Sequence, residues 1–133
     1  MPRFLLMVNH DNGAAGTPMD EWTPEEIAAH MNYYEALGRE LTESGELVQF
    51  TGLADPRLAR IVRSDGVLAP VVTDGPFPES KEVLAGFQVV DVESEARALE
   101  IAARVSAVPG PGGVPIQQPV EVRQVMAQSG DEP

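Results

Sequence analysis

The sequence predicts an α+β fold in which two helices cover one face of an antiparallel sheet. Three observations carry that reading. Short β-prone runs alternate with two longer amphipathic segments, and the helix starts carry their own capping signals. An Asp-Gly turn splits an extra pair of short runs off the main series. The composition is that of a folded globular chain, 43% hydrophobic and 23% charged over 133 residues.

The first element is Phe4–Asn9, a short apolar run that ends in the polar loop His10-Asp11-Asn12-Gly13. It is shorter than a secretory apolar region or a membrane span. Thr23-Pro24-Glu25-Glu26 then starts a helix: Thr23 caps, Pro24 suits the first helical position and Glu26 completes a capping box. The acidic first turn faces the positive end of the helix dipole. The helix is expected to run to about Glu43 and to stop at Ser44-Gly45. Its inward stripe reads Ile27, Met31, Tyr34, Leu37, Gly38 and Leu41, with His30 inside it.

Leu47–Leu53 reads as the second strand. Ala59–Arg63 and Val67–Thr73, on either side of Ser64-Asp65-Gly66, read as a hairpin. Thr73-Asp74-Gly75-Pro76-Phe77 is a turn by composition. Val83–Val92 is a strand interrupted by Gly86, and Ser94 caps a second helix through about Val105. The inner face expected for that helix is Ala96, Leu99, Ala102 and Ala103. Val108–Pro115 is a loop, Ile116–Val125 the last strand, and 127–133 a polar tail expected to fray, which leaves one domain over 1–126. Without the hairpin the order is β-α-β-β-α-β, the ferredoxin-like pattern. One sheet face is then bare, and a second copy packed sheet to sheet is the expected cover.

Nine basic residues stand against 21 acidic ones, a net charge of −12, which argues against nucleic acid and anionic membranes as partners. With no cysteine, thiol nucleophiles, disulfides and Cys-based metal sites are excluded. Two histidines do not make a His-rich metal centre, so no metal site is assigned. No phosphate-binding glycine loop, dinucleotide fingerprint, zinc-protease or nucleophile-elbow motif is present, and no cofactor is indicated. A cytoplasmic location is the default expectation.

The most distinctive stretch is Asp74-Gly75-Pro76-Phe77-Pro78-Glu79-Ser80-Lys81-Glu82. It resembles the signature of the YCII-related (DGPF-domain) family, and the outline of the chain from Phe4 to the strand Leu84–Val92 before the second helix is similar as well. The resemblance implies a ferredoxin-like dimeric α+β barrel with a polar cleft near the motif, but no defined reaction. A His–Asp pair proposed for one branch points to His30 as the histidine.

Three readings follow. In the first, a small-molecule enzyme, His30 is the acid–base group and Asp74 its carboxylate partner. Lys81 meets an anionic substrate, with Phe77, Glu79 and Glu82 around it. In the second, the same cleft serves a non-catalytic binding or regulatory dimer. In the third, the motif is a structural latch of the dimer, and Asp74→Ala shifts the monomer–dimer balance. Each residue also has a plain role: His30 as a satisfied core histidine, Lys81 as a surface charge, and Arg60 and Arg63 as charges guarding a sheet edge. The two arginines are equally suited to a partner's acidic surface.

Overall fold

The computed structural model describes residues 1–10, 19–54, 56–75 and 83–126. Six strands and two helices follow in the order β1 (Arg3–His10), α1 (Pro24–Glu43), β2 (Leu47–Gly52), β3 (Arg60–Arg63), β4 (Val71–Asp74), β5 (Val83–Asp91), α2 (Glu95–Ser106) and β6 (Val120–Gln124). Four of the strands form one sheet in the order β2-β5-β1-β6, with every pairing antiparallel. This is the ferredoxin-like arrangement. Among the described residues β3 and β4 pair only with each other, as a separate two-stranded sheet.

Helix α1 forms where its local signals say it must. Thr23 Oγ1 accepts the Glu26 N–H at 3.1 Å, and Glu26 Oε1 accepts the Thr23 N–H at 2.8 Å, a complete capping box. Trp22, just outside the cap, is buried with Val108 and Ile116, and Ile27 packs against the three. The buried stripe is His30, Leu37 and Leu41. Met31, expected inside, is 55% exposed, because the sheet meets the helix one position away.

The second helix corrects the expected phase. Its buried residues are Ala98, Ile101, Ala102 and Val105, whereas Leu99 is 52% exposed. An alanine-rich helix offers two stripes of similar hydropathy, and only the fit to the sheet chooses between them. Ile101 and Val105 lie in the main core with Phe4, Leu6, Leu37, Leu41, Val90 and Val92. The last strand begins at Val120 rather than Ile116: Gln117 takes a left-handed φ of 63°, which breaks the extended run, and Ile116 joins the Trp22 cluster instead.

The hairpin also differs from expectation. Its second strand starts at Val71, because Asp65 Oδ1 accepts the N–H groups of both Val67 and Leu68 at 2.9 Å and closes a wider turn. Thr73 and Asp74, expected in a turn, finish that strand.

Helix α2 is tied to the α1–β2 corner by charge. Arg97 donates from Nε and Nη2 to the two oxygens of Glu46, at 2.9 and 3.0 Å, and from Nη1 to Glu100 at 3.1 Å. Arg104 pairs with Glu40. The Arg97 hydrogen bonds hold the Glu46 carboxyl below its ordinary range. A carboxyl depressed in the folded state stabilises it above the unfolded pKa, and that contribution is lost as pH falls through the folded value. The urea midpoint of the native chain should therefore drop between pH 7 and 3.5 by more than that of Arg97→Met; equal drops would dismiss the pair as a source of acid sensitivity.

Candidate functional site

The site is laid out by the turn between α1 and β2. Because Ser44–Glu46 reverses the chain tightly, with Glu46 N–H on Leu41 O at 2.9 Å, α1 runs back antiparallel over β2. Its first half therefore covers the end of the sheet where β2 finishes and β5 begins. At that end the rows facing the helices are Val8, Gly86 and Gly52, then Leu6, Gln88 and Phe50. The two glycines leave backbone rather than side chains there. Gly86 has no room for more: a Cβ on it would stand 2.8 Å from Thr51 O.

Over these rows runs a ladder of edge-to-face rings. Trp22 and His30 have ring centroids 5.3 Å apart, His30 and Tyr34 5.1 Å, and Tyr34 and Phe50 5.7 Å. His30 is buried, and its Nδ1 lies 2.9 Å from Pro109 O. A carbonyl can only accept, so Nδ1 carries a proton, and the tautomer this selects has its lone pair on Nε2. Pro109 itself is fixed by the bridge to Pro115 and by the Ile116 N–H to Val108 O bond beside it. Burial pushes the Tyr34 phenol up to about 12, with neighbouring Tyr33 adding to the shift, so it stays protonated at neutral pH. Tyr33 donates its hydroxyl to Arg104 O at 2.6 Å.

Gln88 follows Phe50 in the same row. It is 2% exposed, and its Oε1 has no hydrogen-bond partner among the described residues. A buried amide oxygen left open costs about 1–3 kcal/mol. The other such atom is Asp91 Oδ1, which has the N-terminal amine 4.0 Å away. On the outer side of Tyr34, an open depression of about 480 Å³ lies between α1 and β2, lined by Met31, Tyr34, Glu35, Gly38, Leu47 and Phe50, with Thr42 at its end.

Asp74 lies elsewhere. It ends β4 with its side chain 89% exposed, and Oδ1 is 3.5 Å from Arg60 Nε across the ladder. No hydrogen bond or ion pair joins it to His30 among the described residues; the group that orients the histidine is the Pro109 carbonyl. Phe77, Glu79, Lys81 and Glu82 fall outside the described residues. The segment that holds them leads into Val83, whose strand partner is His10 at the same end of the sheet. Among the described residues there is no cluster of three or more groups fit to hold a metal ion, and no helix long and apolar enough to cross a membrane.

Sequence reasoning did not find Gln88. A lone glutamine in an apolar run looks like a residue turned to solvent, and only the sheet register places it under α1. Pro109 was equally hidden, 79 residues from the histidine it holds.

Residues 3–116 match the YCII-related domain family, from the start of β1 into the loop after α2. The chain belongs to that family. An uncharacterised protein of Rhizobium meliloti is 34% identical over 85 residues, which cover 64% of this chain and 68% of that protein. Within the YCII-related chain, then, the ring ladder and the motif lie in the matched region, whereas β6 lies beyond it.

Proposed function

We propose that the chain, as one domain over residues 1–126 in the cytoplasm, binds a small molecule under the first half of α1 and exchanges a proton with it through His30. One observation carries this reading: His30 is buried and held at Nδ1 by a backbone carbonyl, which leaves Nε2 as a positioned proton acceptor. The open Gln88 oxygen adds an acceptor for a donor group on the same molecule. Lys81 supplies the cation for an anionic group, with Phe77, Glu79 and Glu82 beside it. Support for this is the entry of their segment into the sheet next to His10. A ligand without chemistry at His30 gives the non-catalytic form of the same site.

For Asp74 a second reading is favoured by its ion pair with Arg60 across the β3–β4 ladder: it latches the hairpin rather than serving His30. We also propose that two copies pack through the bare sheet face, where Leu5, Met7 and Phe87 are only partly buried within the single chain. Monomer mass in light scattering at high concentration would sink that.

The binding test is a thermal-shift panel of short carboxylic acids, phenols and phosphorylated metabolites, run on the native chain, His30→Gln, Gln88→Leu and Lys81→Ala. A compound at about 100 times its Kd adds roughly 2.7 kcal/mol, a rise of several degrees in Tm. The expected result is a rise in the native chain that weakens in all three variants. No rise with any compound, or equal rises in every variant, counts against the site.

A further inference from the structure

The β3–β4 hairpin and the α1–β2 depression are two unsatisfied surfaces of opposite shape. A lone two-stranded ladder is marginal in water and gains stability only by packing on something. Here, of the apolar side chains in its two strands, only Ile61 is partly buried. Val62 and Val72, directly paired, are 59% and 58% exposed, Val71 is 61% exposed, and Val67 and Leu68 at the tip are 87% and 73% exposed. Apolar exposure at this density marks a contact surface.

The depression is its counterpart. It is mostly apolar, its polar lining being Glu35, Thr42 and the Tyr34 hydroxyl, and it borders β2, an edge strand of the sheet. Gly38 sits on it in the middle of α1, and a Cβ built there would meet nothing within 4 Å. A glycine in a helix interior costs about 1 kcal/mol against alanine. No contact among the described residues requires it, whereas close approach by another chain would.

Charge selects the occupant. Residues 56–75 hold three of the nine basic residues and two of the 21 acidic ones, leaving six basic against 19 acidic in the rest of the chain. Both hairpin acids are engaged, Asp74 with Arg60 and Asp65 with the N–H groups of its own turn. Arg63 and Glu35 take part in no ion pair among the described residues. The hairpin is thus a basic, apolar projection on an acidic molecule that carries an acidic-rimmed apolar groove.

We propose that the β3–β4 hairpin of one copy docks into the α1–β2 groove of a second copy, Val62 and Val72 seated against Gly38, Leu47 and Phe50, and Arg63 meeting Glu35. In a two-fold pair the contact is made twice. It uses neither His30 nor the bare sheet face, so it stands or falls apart from the proposals above.

The chain has no cysteine, which makes a crosslinking test clean. Full-length Val62→Cys and Gly38→Cys proteins, distinguished by a mass tag, are mixed under mild oxidant, with Val62→Cys plus Leu99→Cys as the exposed control pair. Docked sites see an effective concentration of order mM, so at roughly 10 μM protein the tested pair should crosslink about a hundredfold faster than the control. Adding Arg63→Glu to the first protein, or Glu35→Arg to the second, should slow it, and both together should restore it. A rate equal to the control, no restoration by the charge swap, or closure of the bond within single chains carrying both cysteines would each overturn the proposal. Thermal unfolding of every variant confirms that folded proteins are compared.

Discussion

Replacing His30 with leucine is expected to destabilise the chain by about 2–4 kcal/mol, because it removes one ring from a packed stack and orphans a partly buried carbonyl. Both losses are specific to the place. Trp22 and Tyr34 meet the imidazole edge to face on either side, and Pro109 O accepts from its Nδ1. His30→Gln keeps a donor within reach of Pro109 and should lose roughly half as much. The measurement is urea unfolding followed by far-UV dichroism and by fluorescence. Trp22 is the chain's one tryptophan, so its emission reports on this corner directly. If leucine were tolerated to within about 0.5 kcal/mol, the histidine would contribute nothing to the fold beyond a surface position. The reading of a ring held by Pro109 would then fail.

The second large effect separates two faces of α2. Ile101 is fully buried and Leu99 is 52% exposed, two positions apart on the same helix. Ile101→Ala should cost about 2–5 kcal/mol, and Leu99→Ala no more than about 0.5 kcal/mol. Denaturant midpoints at constant slope decide it. The reverse order would place Leu99 inward, and with it the helix phase that the sequence alone suggests.

That pair of residues also shows where sequence reading stops. Helix α1 is legible because its signals are local: Thr23, Pro24 and Glu26 make the cap among themselves, and the cap is present in full. The strand order of the main sheet follows from the order of elements. The phase of α2 is not legible, since with Ala96, Ala98, Ala102 and Ala103 on both sides, the sequence carries two nearly equal stripes. The sheet breaks the tie through Phe4, Leu6, Val90 and Val92.

The site divides in the same way. His30 stands out as a histidine on an apolar stripe, but what holds it arrives from the loop after α2, and no spacing rule joins the two. Asp74 stands out through its motif, yet among the described residues its partner is Arg60, a neighbour in a ladder rather than a catalytic group. Gln88 lacks any local mark, because its burial depends on register with β1 and β2 together.

The route from β2 to β5 runs through residues 53–82, and the separate hairpin occupies the middle of it. Sequence drift is cheap in such a detour. The main sheet closes by pairing β2 directly with β5, so the connection needs only to span its two ends. Doubling the length of a flexible connection costs about 0.6 kcal/mol in closure entropy. The hairpin can therefore gain, lose or exchange side chains without unsettling the layer of helices and strands behind it.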